Sequence, residues 1–208
     1  RSGIENITIT VSNKDQFDSI NENNINIVET NNNDSNQLLD SIMIGFKNID
    51  GPSIFTYGDI LFNDKIISEL ISNDQDIVIA ADSTYKYHKH DVDKKLELIS
   101  YKDYIKTEKR RNLKMTNIFE VKEISKNLNL TDAHSEFFGL IYFSKNGMSI
   151  LKSCYEEIPK NSTSLIDIVN FMINKNIKIV CNEFDGGWIE LHNENDFKLA
   201  EKELTNWA

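Results

Sequence analysis

Apolar residues in this chain fall into short runs of two kinds, one alternating with polar residues and one spaced as a helix repeats. Ile4, Ile7, Ile9 and Val11 read as a strand, and residues 25–29, 53–57 and 76–82 read as three more. The Asn-rich stretch over residues 21–36 is read as the second of these strands followed by a polar loop, because Ile25, Ile27 and Val28 interrupt it. Leu38, Leu39, Ile42 and Phe46 then recur at helical spacing. Ile66, Ile67, Leu70 and Ile71 form the stripe of a second helix, opened by Asn63 or Asp64 as cap. Residues 96–100, 117–124 and 138–143 are strand-rich. Helices follow over 148–157 and 165–174, strands over 177–181 and 188–191, and a last helix runs from Glu194 through Leu199, Ala200 and Leu204. This alternation predicts an α/β fold: a mixed, mostly parallel sheet with helices on both faces.

The 208 residues, 39% apolar and 27% charged, suffice for one sizeable core. Only Gly51-Pro52 and Pro159 punctuate the chain strongly, so residues 1–208 are read as a single domain. A formal charge of −10 disfavours a nucleic-acid partner, which needs excess Lys and Arg to displace counterions from phosphates. Any phosphate affinity must therefore be local. No apolar run approaches the roughly 20 residues of a membrane span, and no signal-peptide pattern opens the sequence. Cys154 and Cys181 lack metal-ligand spacing and read as reduced thiols, which together with the missing signal predicts a cytoplasmic protein with no membrane partner.

Candidate chemistry sits in three short motifs. The apolar run over residues 55–62 is broken by Gly58-Asp59, where a carboxylate just past a buried strand offers a hard oxygen ligand. Asp82 ends another strand and would lie at the same sheet edge, either facing a ligand or capping a turn. In His134-Ser135-Glu136-Phe137-Phe138-Gly139, Glu136 beside two aromatic rings could receive a cationic amine. In Trp188-Ile189-Glu190-Leu191-His192, residues 188, 190 and 192 share one face of a strand. Lys102, Lys106, Lys109, Arg110, Arg111 and Lys114 make a basic segment that fits either a lid over an anion or a solvated loop. His88 and His90 have no third ligand at metal spacing and read as surface residues.

The order and spacing of the three motifs resemble the nucleotidyltransferases that activate phosphocholine or 2-aminoethylphosphonate with CTP, particularly the cytidylyltransferase domains associated with phosphoenolpyruvate mutase. The resemblance implies a Rossmann-like, nucleotide-diphospho-sugar transferase-like fold, with CTP or another nucleoside triphosphate and a small phosphonate or phosphate ester as partners. A fused or associated mutase domain is a further implied partner. Asp59 would hold a catalytic Mg2+, and Lys126 would contact the oxygens of the incoming nucleophile. Asp82, Glu136 and Ser41 would lie on the substrate side. At the position of the family's second metal-binding Asp this chain has His192, with Glu190 nearby as a second candidate ligand; Asp185 is a further acidic neighbour.

Two departures accompany the resemblance. The chain opens at what matches the family's second strand, so the first strand and its Gly-rich triphosphate loop are expected to be missing and the domain to be N-terminally incomplete. Ser12-Asn13 replaces the family's Gly-Tyr. These departures open a second reading, a catalytically degenerate domain kept for ligand sensing or for assembly with a fused mutase. A glycosyltransferase on a similar scaffold would need an Asp-x-Asp element, which Tyr57-Gly58-Asp59 does not supply.

Overall fold

In the computed structural model, which describes residues 3–20, 22–30, 38–88, 94–102 and 118–207, strands and helices alternate much as the apolar spacing predicts. The order is β1 (Ile7–Val11), β2 (Ile25–Glu29), α1 (Leu38–Phe46), β3 (Ser53–Thr56), β4 (Ile60–Phe62), α2 (Asp64–Ile71), β5 (Ile77–Asp82) and β6 (Leu98–Tyr101). There follow β7 (Ile118–Ser125), β8 (Ser135–Phe143), α3 (Lys145–Glu157), α4 (Leu165–Asn174), β9 (Val180–Phe184), β10 (Trp188–Glu190) and α5 (Glu194–Trp207). No helix among the described residues is long and apolar enough to cross a membrane.

Six strands form the main sheet in the order β3-β8-β5-β9-β7-β6. Strands β3, β5, β6 and β9 run one way and β7 and β8 the other. The sheet is mixed, as expected, but among the described residues β5–β9 is its one parallel ladder, which corrects the mostly parallel arrangement. The reason is insertion. Helical crossovers give β3 and β5 a common direction, and the long β8 then takes the place between them. Strands β1 and β2 form a separate parallel pair with Ile7 opposite Ile25.

Strand β5 shows how the two faces are filled. Its six residues are all buried, and successive side chains enter different cores. Ile77, Ile79 and Ala81 join Leu39, Ile42 and Phe46 of α1, Leu151 of α3 and Ile168, Val169 and Met172 of α4. Val78 and Ala80 join Ile66, Ile67 and Leu70 of α2, with Phe138 and Leu140 of β8. Helices thus cover both faces, and each buried Leu or Ile contributes about 1.5–3 kcal/mol. Asn63, not Asp64, caps α2, accepting a bond from Lys65 N at 2.9 Å.

A bulge in β8 connects this scaffold to the functional region. Between the pairs Ile79–Ile141 and Ala81–Phe137, a two-residue step on β5 opposes a four-residue step on β8. Gly139 within the bulge has φ +85°, and a Cβ there would lie 2.1 Å from Cδ2 of Tyr57. The Tyr57 ring therefore rests on bare backbone, and Tyr57 N donates to Gly139 O at 3.1 Å.

Gly139→Ala is expected to cost about 3 kcal/mol through backbone strain and collision with Tyr57, lowering Tm by roughly 6–12 °C in calorimetry. An unchanged Tm would contradict this packing. At the start of α4, Ser164 and Asp167 form a capping box. Partial burial opposes ionisation of Asp167, but hydrogen bonds from Thr163 and Ser164 outweigh it and hold the carboxyl below its usual value. A depressed folded value means that its stabilisation is present above the unfolded pKa and is lost as pH falls through the folded one. Asp167→Asn should then cost about 1 kcal/mol at neutral pH, and urea titrations should show that gap closing as pH drops below about 4.

Candidate functional site

The apolar run over residues 55–62 is not one strand. It breaks at Tyr57-Gly58-Asp59, after which β4 leaves the main sheet and pairs antiparallel with β10, Glu190 opposite Ile60 and Trp188 opposite Phe62. Leu191 N donates to Asp59 O at 2.7 Å, extending the pairing by one step. Asp59 is thereby held at the edge of β10, beside the segment that carries Glu190 and His192. Ligand atoms of all three lie within 4.8 Å of one another, and His192 Nε2 is 3.2 Å from Glu190 Oε1. The three sequence-predicted metal candidates are brought together, and two carboxylates with an imidazole suit a divalent cation.

Beside the triad opens a cleft of about 230 Å³. Tyr57 forms part of its wall, with its hydroxyl donating to Glu97 Oε2 at 3.1 Å. Burial, and then the charge of Glu97, push the Tyr57 phenol well above its ordinary pKa, so it stays a donor. Lys126 also lines the cleft and pairs with Glu97 Oε1 at 3.1 Å. Glu136, 2% exposed, lines it from β8. The ammonium of Lys94 pairs with Glu190, lies 3.9 Å from Glu136 Oε1 and stands 6.0 Å from the centre of the Trp188 ring. A cation therefore already sits in a carboxylate and aromatic setting. The indole of Trp188 provides the face nearest that ammonium, while Phe137 and Phe138, both buried in the core, also line the cleft.

Asp82 does not line the cleft, contrary to the substrate-side expectation. It is wholly buried behind the wall, where Oδ2 accepts from Trp188 Nε1 at 2.8 Å and Oδ1 from Thr84 N and Thr84 Oγ1, each at 2.6 Å. Trp188 in turn stacks on Phe138, 4.9 Å between centres at 13°. Both carboxylate oxygens of Asp82, the last residue of β5, are thus taken up by the indole and Thr84. Ser41 is likewise off the cleft walls, because α1 packs against β1 and α4.

Other sequence candidates fall outside the triad. His88 Nε2 lies 3.4 Å from Asp82 Oδ2 and 3.1 Å from Thr84 Oγ1, and Asp185 accepts from Ser83. Lys102 pairs with Glu120 at 2.6 Å. His90 and the rest of the basic segment, from Lys106 to Lys114, lie outside the described residues. Sequence reasoning missed Lys94, Lys95 and Glu97, which belong to a plain charged stretch with no motif to mark it.

Asp59, Glu97, Glu136 and Glu190 surround the region against Lys94, Lys95 and Lys126. A bare polyphosphate meets repulsion from these carboxylates, which a divalent cation at the triad would offset.

No protein-family model and no curated protein matches the chain. Solved structures do. The inositol-1-phosphate CTP transferase from T. maritima superposes with a TM-score of 0.64 at 12% identity, covering 88% of this chain and 66% of that one. A UDP-glucose pyrophosphorylase complexed with UDP-glucose gives 0.57 at 13%, covering 89% and 68%, and a UTP-bound UGPase from Acinetobacter baumannii gives 0.61 at 11%, covering 92% and 66%. The chain spans about two thirds of the length of these proteins. The likeness is one of fold: this chain has the mixed α/β architecture, nucleotide-diphospho-sugar transferase-like, that those nucleotidyltransferases share.

Proposed function

We propose that the chain, as one domain over residues 1–208, is a cytoplasmic nucleotidyltransferase using CTP or another nucleoside triphosphate. Its acceptor would be a small phosphonate or phosphate ester such as 2-aminoethylphosphonate or phosphocholine. The observation that carries this reading is the convergence of Asp59, Glu190 and His192 at the mouth of a lysine-bearing aromatic cleft, on a scaffold shared with nucleotidyltransferases.

In the reaction, an anionic oxygen of the acceptor attacks the α-phosphorus of the triphosphate, and the bond to pyrophosphate breaks in line. Asp59, Glu190 and His192 would hold a divalent ion, magnesium by the resemblance, which would supply charge neutralisation for the phosphates. Lys126, oriented by Glu97, would draw the acceptor's phosphate or phosphonate into place. Tyr57 holds Glu97 from the other side, so that carboxylate is anchored at both oxygens. Glu136 and the face of Trp188 would take the acceptor's cationic end, where the Lys94 ammonium now lies. Asp82 acts as a positioning residue, fixing the indole plane through its bond to Nε1.

Calorimetric titration with CTP tests the centre of this reading. Binding should require a divalent cation and weaken about tenfold or more in Asp59→Ala; affinity indifferent to both would remove it. For the positioning role, Asp82→Ala should destabilise the fold by about 2–3 kcal/mol, because Trp188 Nε1 and Thr84 lose a buried acceptor. In a Trp207→Phe background, Trp188 emission should shift to the red and quench more readily with acrylamide. Emission identical to that of the parent would mean that the indole needs no such anchor.

A further inference from the structure

The donor set of the triad differs from one built for magnesium. Magnesium demands near-octahedral oxygen coordination, whereas imidazole favours zinc, iron, cobalt and nickel. We propose that the Asp59, Glu190 and His192 centre binds a borderline transition-series dication, of the zinc and cobalt class, in preference to magnesium, and that His192 sets this preference. The proposal rests on reading the triad as a metal centre, independently of whether a nucleotide binds.

Three features of the fold support it. His192 is aimed at the site: its Nε2 lies 3.2 Å from Glu190 Oε1, with the ligand atoms of the triad gathered within 4.8 Å. Its backbone is held as well, because Asp196 Oδ2 accepts from His192 N at 2.8 Å and from Asn193 N at 3.1 Å at the entrance to α5. Such anchoring limits the reorganisation needed when the ring becomes a ligand.

Glu190 is also divided. Lys94 engages Oε2, which leaves Oε1 on the side of His192, so this residue offers the site one oxygen and not two. The protein then supplies one nitrogen and a small number of oxygens. That matches a four- or five-coordinate ion with an open position better than an octahedral all-oxygen shell. Asp59 completes the set, and among the described residues no hydrogen bond or ion pair engages its carboxylate. His192 keeps 45% of its side chain exposed, so the centre is open to solvent and to an incoming phosphate.

The test is a Co2+ titration of the full chain without nucleotide, followed by visible absorption, with Zn2+ and Mg2+ as competitors. Ligand-field bands should develop with the parent chain, be displaced by Zn2+ at comparable concentration, and survive about a hundredfold excess of Mg2+. His192→Asp should weaken Co2+ binding by about tenfold or more and narrow the advantage over Mg2+. His192→Ala, a truncation at a substantially exposed position, should also lose the bands, with circular dichroism confirming the fold. Equal Co2+ affinity in parent and His192→Asp, displacement by equimolar Mg2+, or no bands at all would overturn the proposal. So would bands that persist in both His192 variants but vanish in His88→Gln. Because no nucleotide is present, such a result leaves the reading of CTP binding to its own titration.

Discussion

Strand β8 organises the molecule through the way its two edges are shared. One edge is occupied by β5 along most of its length; the other is taken first by β6, at Ser135 and Glu136, and then by β3, from Leu140 to Phe143. Between those two partners lie Phe137 to Gly139, and backbone bonding continues across the gap: Phe137 N donates to Glu97 O and Gly139 O accepts from Tyr57 N. The end of β3 and the lead-in to β6 therefore meet on one edge, which is why Tyr57 and Glu97, 40 residues apart, share a hydrogen bond. Buried backbone polar groups need partners, and satisfying those of β8 creates the cleft wall.

The same requirement accounts for the buried polar cluster behind the wall. Tyr101 donates to Glu183 Oε1 at 3.0 Å and lies 3.3 Å from Cys181 Sγ, and its hydroxyl also meets Ser135, so β6, β8 and β9 are tied where the sheet curls back. Burial, followed by the charges of Cys181 and Glu183, keeps this phenol protonated far above its ordinary range. Phe119 and His134 stack on its two sides, at 4.8 and 5.1 Å. A buried polar network of this kind rigidifies the place where the three strands meet.

Charge balance is the second constraint. Among the described residues, carboxylates outnumber lysines around the cleft and triad, and internal ion pairs absorb part of the excess: Lys94 with Glu190 and Glu136, and Lys126 with Glu97. Each pair holds a cation where the proposed chemistry would bring a charged ligand. In the proposed reaction, ligand binding is therefore an exchange of partners among these side chains, and its selectivity depends on what displaces each ammonium.

Much of the fold was legible because burial imposes a period on sequence: the runs in β5, α2 and α4 read directly as strand and helices. The three motifs were equally legible, since Asp59, Glu136 and the Trp188 to His192 segment carry distinctive residue types in a distinctive order. Periodicity says which way a side chain faces and nothing about which strand lies alongside. The antiparallel insertion of β8, the departure of β4 to join β10 and the burial of Asp82 under Trp188 were therefore decided only in three dimensions. Lys94, Lys95 and Glu97 show the same limit, because an unremarkable charged segment gains its role solely from where the edge of β8 places it. Local sequence fixes element type and donor chemistry through short-range sterics and burial, while neighbour choice comes from pairing and packing between residues far apart in the chain.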